Sequence, residues 1–361
     1  MAVADELRAS GAEVSFLGTR ERIEAELAPA AGYEIDFIKV RGIDRRNPLR
    51  AAVAAAEAVG AVGTARRALR RRGADVVLGG GGFVAGPAGL AAVSTRTPLV
   101  LTEADSHLGL ANRLLTRRAR RVCLAFPIAG REGERYLHTG RPVPDAVLRG
   151  DRGVARERFG VPAEARCLLI MGGSQGARSV NQAAIKAFAE SDGSRDFHLI
   201  HLTGRRDHDD LAQRLAAAPY ADRYTLLAYE PDLGDVLAAC DLVLSRSGGS
   251  IFEVTAAGRP AILVPYPYAT AGHQTTNAAW MADAGAAEVI EDAALSPQLL
   301  SERVSALLGD ADRLAAMSTA SAALVRSDAA RRIADEVLTA AGAPASGAPY
   351  VGIDHKRRTG T

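Results

Sequence analysis

Short apolar runs of about four to six residues alternate along this chain with longer stretches in which apolar positions recur every three or four residues. The first spacing suits strands buried on both faces, and the second suits helices packed along one side. The pattern predicts a helix over 2–10 stopped by Gly11, strands over Glu13–Leu17 and Tyr33–Val40, and a long Ala-rich helix over Pro48–Arg72. Further strands are expected over Asp75–Leu78, Pro98–Leu101, Arg121–Phe126, Cys167–Met171, Leu242–Leu244 and Ala261–Val264, each followed by a helical pattern. Alternation of this kind predicts the α/β class with parallel sheets. Thr139–Pro144 carries two prolines just before a new helix and reads as a hinge. Two doubly wound domains are therefore expected, over 1–144 and 145–324, followed by a helix over 325–342 and a disordered tail over 343–361.

Three glycine-rich turns follow predicted strands, and they carry the candidate chemistry. In the first, Leu242–Leu244 runs into Arg246, Ser247, Gly248 and Gly249, and Ser250 opens a helix that stops at Gly258 and Pro260. Backbone N–H groups in such a turn can approach an anion closely, so a phosphate or diphosphate is the natural guest. Glu253, in the first helical turn, could accept hydrogen bonds from vicinal sugar hydroxyls. Ser250 and Glu253 are equally well spaced for a capping box, and the local pattern does not choose between the two roles. The loop after Val264 is long and carries His273, Gln274, Thr275 and Asn277. It leaves the carboxyl end of a parallel strand, where ligands of open α/β sheets bind.

The second turn, Gly172–Arg178, contains Gly173, Ser174 and Gln175 and precedes a helix expected from Ser179. The third contains Gly80, Gly81 and Gly82 and precedes a helix expected from Ala88. Glu103, Asp105 and His107 cluster where a strand gives way to a loop, a position suited to acid/base or hydroxyl-binding groups. Asp105 and Ser106 could instead cap the next helix.

Composition narrows the function classes. With 361 residues and 48% hydrophobic, the chain can bury two ordinary cores. Residues 1–150 hold 23 Lys and Arg against 16 Asp and Glu, whereas the remainder holds 21 against 26. A basic first half implies an anionic partner there, either a phosphorylated substrate or an acidic membrane surface. Aromatics at 5% and the lack of a recognised module argue against nucleic acid. The helix over 48–72 ends in Arg66, Arg67, Arg70, Arg71 and Arg72; it reads as a core helix with dipole-complementing arginines or as a helix lying on anionic lipid. Cys123, Cys167 and Cys240 are widely separated and form no CxxC, so neither disulfides nor a metal site is expected. With no signal peptide and no apolar run near ~20 residues, a cytoplasmic protein is expected.

Taken together, DVVLGGGGFVAGP over 75–87, Glu103 to Asn112, GGSQGARSVN over 172–181, Ser245 to Pro260 and Gln274 to Asn277 resemble the MurG family of bacterial N-acetylglucosaminyltransferases. The resemblance runs from Met1 to about Gly342. It implies a GT-B fold of two Rossmann-like domains, with the C-terminal helix crossing back to the first. It implies UDP-GlcNAc as donor, undecaprenyl-diphosphate-MurNAc-pentapeptide as acceptor, no metal, and a peripheral place on the cytoplasmic face of the membrane. By position, Glu253 would hold the ribose hydroxyls, Ser174 the diphosphate region and Gln274 the GlcNAc hydroxyls, with Gly173, Gln175, Arg246, Gly248, Gly249, Ser250 and Asn277 also in the UDP-GlcNAc site. Gly80, Gly81, Gly82, Glu103, Asp105, Asn112 and Arg141 would serve the acceptor, with Glu103 and His107 as catalytic candidates.

The family opens with a strand and a GGTGGH-type loop whose histidine is a candidate proton acceptor, and Met1 corresponds to a point after that loop. The expectation is a start recorded too far downstream or a shortened first domain. Two alternatives stay open: a related GT-B enzyme using another lipid acceptor or acting as an epimerase, and a non-catalytic UDP-sugar-binding protein.

Overall fold

The computed structural model describes residues 1–40, 48–172, 176–191, 196–219, 221–269 and 272–343, without the side chains of 48–56 and 222. The chain divides into two compact units: residues 1–104, 108–142 and the segment from Asp328, and residues 105–107 with 143–327.

The second unit is built on six parallel strands: β7 (Arg166–Met171), β8 (Phe197–Leu202), β9 (Tyr224–Leu227), β10 (Leu242–Ser245), β11 (Ala261–Leu263) and β12 (Ala287–Val289), in the order β12-β11-β10-β7-β8-β9. These numbers follow the six strands of the first unit given below. The chain enters at the middle of the sheet, steps outward through β8 and β9, then returns to the other side of β7 with β10. Strand order thus reverses between β7 and β10, which is where such sheets bind ligands. Register aligns Met171 with both Ser245 and Leu202, so the carboxyl ends of these strands lie level. Leu168, Ile170, Leu242, Leu244 and Ile262 pack with Val180 and Ile185 of the helix Arg178–Phe188 and with Leu300, Val304 and Leu307 of the helix Pro297–Leu308. Burial on both faces explains the uninterrupted apolar runs.

At the opposite edge of this sheet, Asp241 accepts hydrogen bonds from Arg152 Nη2 at 2.6 Å, Arg156 Nη2 at 2.9 Å and the Cys167 N–H at 2.8 Å. Arg156, with 4% of its side chain exposed, also donates to the carbonyls of Ala239 and Pro162. This knot ties the helix Arg152–Phe159 to the starts of β7 and β10.

The first unit contains β1 (Ser15–Gly18), β2 (Glu34–Phe37), β3 (Val77–Gly79), β4 (Leu99–Glu103), β5 (Arg121–Leu124) and β6 (Tyr136–His138). The last four form one parallel sheet in chain order, and β1 pairs only with β2, so no ladder joins the two pieces among the described residues. The helices Ala2–Ala9 and Ala329–Ala341 meet over Leu7, Val100, Cys123, Ile333 and Val337, and Arg121 Nε reaches Glu336 Oε2 at 2.8 Å. On the long helix Pro48–Arg72, Ala61 and Ala65 are buried against Ile38 and Ala91, so small side chains let it lie close to its neighbours. Its final arginines Arg71 and Arg72 bond to Asp36 of β2, and Arg72 also pairs with Glu34.

Three sequence expectations need correction. The helix after β3 is Gly82–Thr95, not one from Ala88, because Gly81 at φ +81° turns the chain straight into it and Pro87 is accommodated in its second turn. The helix after β4 is Leu110–Leu115 with Gly109 at its N-cap, so Asp105 and Ser106 do not cap it. Finally, Gln274 and Asn277 are not on a loop: they belong to the helix His273–Asp283, entered through Gly272 at φ +64°. Among the described residues no helix is long and apolar enough to cross a membrane.

Candidate functional site

The carboxyl edge of the second unit's sheet holds a cavity of about 490 Å³. Met171 and Leu202 floor it at the ends of β7 and β8, residues 228–234 after β9 form one wall, and Ser250 and Glu253 form another. Sequence reasoning named the last two and missed the wall from Ala228 to Gly234. The available signal was the polar, proline-containing YEPD stretch directly after the apolar end of β9. That wall is stiff: Glu230 Oε1 accepts the Asp232 N–H at 2.9 Å, Glu230 Oε2 accepts Arg158 Nη2 at 2.7 Å, and Asp232 caps the helix Leu233–Ala239. Ser250 stands at the N-cap of the helix Ile251–Ala256, but its hydroxyl makes no capping bond, so the capping box expected as one alternative is not formed from that side.

Beside the cavity, the ends of β10 and β11 are cross-braced. Ser247 Oγ donates to the Gln274 carbonyl at 2.7 Å, and Asn277 Nδ2 donates to the Ser247 carbonyl at 3.0 Å. Gln274 Oε1 accepts the Tyr266 N–H at 2.9 Å. Asn277 is 1% exposed, and its Oδ1 has no hydrogen-bond partner among the described residues. Arg246 is held by partners within the second unit. Its guanidinium bonds to Asp292 Oδ1 at 2.6 Å, Ser179 Oγ at 2.7 Å and the carbonyls of Val264 and Pro265, leaving 12% of the side chain exposed. It braces the turns around the site.

The glycines separate by what a side chain would meet there. A Cβ on Gly176 would sit 2.5 Å from the Thr203 carbonyl oxygen, and one on Gly172 would sit 2.3 Å from the Ala177 nitrogen, so packing alone requires both. Among the described residues, a Cβ on Gly248 would meet only Gln274 Nε2 at 3.8 Å, and one on Gly80 only Thr102 Oγ1 at 4.0 Å. Neither packing nor a positive φ demands glycine at 80 or 248, and each leaves backbone open to a ligand. Gly249 lies between Gly248 and Ser250 at the same strand end. Gly173, Ser174 and Gln175 lie outside the described residues.

Against Gly176 and the start of the helix Arg178–Phe188 runs a buried polar chain that sequence reasoning did not find. Asn181 Nδ2 donates to the Thr203 carbonyl and to Asp207 Oδ2, both at 2.9 Å, which fixes its Oδ1 toward His201 Nε2 at 3.0 Å. His201 therefore carries its proton on Nε2 and accepts from the Tyr224 hydroxyl on Nδ1 at 2.8 Å. Complete burial pushes the His201 pKa down to about 3, so the ring is neutral. The Arg206 guanidinium bonded to Asp207, followed by the opposing effect of burial and the Asn181 bond, leaves that carboxyl below its usual range.

In the first unit Glu103, 7% exposed, accepts the Gly109 N–H at 2.8 Å and Asn112 Nδ2 at 2.9 Å. Asn112 Nδ2 also bonds the Thr102 carbonyl, while its Oδ1 is buried without a partner among the described residues. A Cβ on Gly81 would lie 3.7 Å from that amide, so Gly80–Gly82, Glu103 and Asn112 form one group. Residues Asp105–His107 cluster with the second unit, where the His107 ring lies 6.2 Å from His273. Arg141 closes the last strand-bearing segment of the first unit. Among the described residues no three His, Cys, Asp or Glu are grouped to hold a metal ion.

The sequence matches the glycosyltransferase family 28 N-terminal domain over residues 1–124 and the family 28 C-terminal domain over 167–335. A UDP-N-acetylglucosamine–N-acetylmuramyl-(pentapeptide) pyrophosphoryl-undecaprenol N-acetylglucosamine transferase of Moorella thermoacetica is 39% identical, over 91% of each chain. The protein of that name from Methylococcus capsulatus is 40% identical over 95% of each. Among solved structures, MurG of Acinetobacter baumannii superposes with a TM-score of 0.76 at 28% identity over 94% of both chains. The calicheamicin glycosyltransferase CalG4, at 19% identity and a TM-score of 0.69 over 96% of this chain and 95% of that one, shares the fold.

Proposed function

The chain belongs to the MurG family, and on that premise we propose that it moves N-acetylglucosamine from UDP-GlcNAc to the C4 hydroxyl of the muramoyl sugar in undecaprenyl-diphosphate-MurNAc-pentapeptide. The observation that carries this reading is the shared cavity at the strand-order reversal, with Glu253 and Ser250 on one wall and the stiff 228–234 segment on the other. A uridine fits between these walls, and the Glu253 carboxylate accepts from the ribose hydroxyls. The diphosphate lies along the open backbone at Gly248 and Gly249 and the turn containing Gly173, Ser174 and Gln175. Gln274 and Asn277 address the GlcNAc hydroxyls. Arg246 acts through the turns it braces.

On the acceptor side the group of Gly80, Gly81, Gly82, Glu103 and Asn112 takes the lipid-linked sugar, and Asp105 and Arg141 are assigned to the same acceptor. The attacking hydroxyl displaces UDP in line at C1 with inversion, and its proton passes to Glu103 or His107. Backbone N–H groups and hydroxyls meet the charge developing on the leaving diphosphate, and the reading gives no metal a role. The basic first half and a lipid-linked acceptor favour a peripheral position on the cytoplasmic membrane face.

The test is UDP release from UDP-GlcNAc with and without the lipid-linked acceptor, followed by analysis of the product. Acceptor-dependent release with a disaccharide product is expected. UDP-GlcNAc binding without release would replace this reading with a non-catalytic one, and 2-epimerisation would replace it with an epimerase.

A further inference from the structure

Arg246 directly follows β10 and precedes Ser247, Gly248 and Gly249, where the backbone is assigned to the diphosphate. Three hydrogen bonds around its guanidinium close a ring. Arg246 Nη1 donates to Asp292 Oδ1 at 2.6 Å, Nη2 donates to Ser179 Oγ at 2.7 Å, and the Ser179 hydroxyl donates in turn to the same Asp292 Oδ1 at 2.7 Å. Nη1 also bonds the carbonyls of Val264 and Pro265 at 3.1 and 3.3 Å.

The groups that meet here come from four places in the chain. Ser179 is the second residue of the helix Arg178–Phe188, which the turn after β7 feeds. Val264 and Pro265 directly follow β11, and Asp292 opens a short 3-10 turn after β12. One cation therefore joins the chain ends leaving β10, β11 and β12 to the first turn of the helix that follows β7. A guanidinium with its donors in a planar fork sets distances and angles together, whereas a buried ion pair is by itself weak support for stability. The apolar residues of β7, β10 and β11 already hold the sheet to its helices, so the ring is suited to fixing positions. What it fixes is the spacing between two turns, the one after β7 that ends in the helix of Ser179 and the one after β10 that begins at Arg246. A diphosphate laid along both turns depends on that spacing. A monophosphate, which one turn can hold, does not.

We propose that Ser179 and Asp292 are positioning residues for the donor: by closing a ring on the Arg246 guanidinium they set the separation of the two glycine turns to the span of a diphosphate. The inference rests on the donor assignment made above and adds to it the side chains that set the grip. Both residues act through Arg246 rather than by contact with the donor.

Calorimetric titration of the full chain with UDP and, separately, with UMP tests this. Ser179→Ala opens the ring but leaves the Arg246–Asp292 pair in place, so the buried charge stays compensated. The variant should bind UDP about fivefold more weakly, the worth of one hydrogen bond, and UMP within about twofold of the unaltered chain. Ser179→Thr keeps the hydroxyl and should restore UDP affinity to within about twofold. Asp292→Ala removes both bonds to Oδ1 and should weaken UDP binding about tenfold or more, at a temperature where thermal melts show the variant folded. Arg303→Gln breaks the pair with Glu288 of β12 without touching the ring and should leave both affinities within about twofold. Unchanged UDP affinity in Ser179→Ala would overturn the proposal. Equal weakening of UDP and UMP would overturn it as well, because a general loosening of the pocket has that effect. Tighter UDP binding by Asp292→Ala would do the same, since Asp292 would then be keeping Arg246 from the phosphates. If the unaltered chain binds neither nucleotide, the donor assignment falls and this inference with it; if it binds UDP and the variants match it, the inference alone falls.

Discussion

Gln274 gives its side-chain carbonyl to the Tyr266 backbone N–H at 2.9 Å, and its amide nitrogen is thereby turned to the side where Gly248 has no side chain. One residue thus fixes the chain leaving β11 and presents donors over the open end of β10. Gln274→Glu keeps the acceptor for Tyr266 and removes the donors. We expect kcat/KM for UDP-GlcNAc to fall roughly 10- to 100-fold, with an unfolding midpoint close to that of the unaltered chain. Steady-state kinetics with varied donor would expose the error if the constant did not move.

Gly248 and Gly176 should respond in opposite ways to a methyl group. Space around Gly248 accepts a Cβ, so Gly248→Ala should unfold normally while the donor KM rises about tenfold or more. At Gly176, φ of +74° and the Thr203 carbonyl 2.5 Å away make the same change destabilising by roughly 1–3 kcal/mol. Thermal melts alongside donor titrations of the two variants separate the cases; a destabilised Gly248→Ala would remove the argument for an open backbone there.

The neutral His201 ring makes the second unit sensitive to acid. Its pKa falls from 6.5 to about 3 on folding, so the unfolded chain binds the extra proton between those values. The stability it contributes is fully present above pH ~6.5 and is lost as pH falls toward ~3, at up to about 1.4 kcal/mol per pH unit. His201→Gln can still bond Asn181 and does not titrate. Denaturant unfolding of this variant from pH 7 to 4 should show a shallower decline than the unaltered chain, and parallel curves would contradict the assignment.

Asp241 sits at the other edge of the same sheet from the site. Asp241→Ala leaves the buried Arg156 guanidinium without its carboxylate and should cost about 3 kcal/mol or more. At temperatures where the variant is folded, its KM for UDP-GlcNAc should match that of the unaltered chain. A donor defect without a loss of stability would place Asp241 in a functional rather than a structural role.

The strand–helix alternation was legible because β7, β10 and β11 are buried on both faces and so leave unbroken apolar runs. Glu253 and Ser250 were legible because they follow a glycine turn at a strand end. The 228–234 wall was not, since its side chains carry no phosphate-binding signature and become a wall only through the sheet's return past β7. Arg246 shows the reverse limit. Its position beside two glycines suggested an anion ligand, whereas Ser179 and Asp292, distant in sequence, claim its guanidinium. The helix start at Gly82 was hidden because glycine is usually read as a breaker, and the positive φ of Gly81 and Gly82 shows how this run leads into a helix.

The division of the first unit's sheet has a mechanical consequence. Among the described residues the β1-β2 ribbon is held to the rest of the first unit by side chains, Leu17 and Ile38 packing with Ala61, Ala65 and Ala91, so its place depends on how closely the small-residue faces of the helices Pro48–Arg72 and Gly82–Thr95 approach.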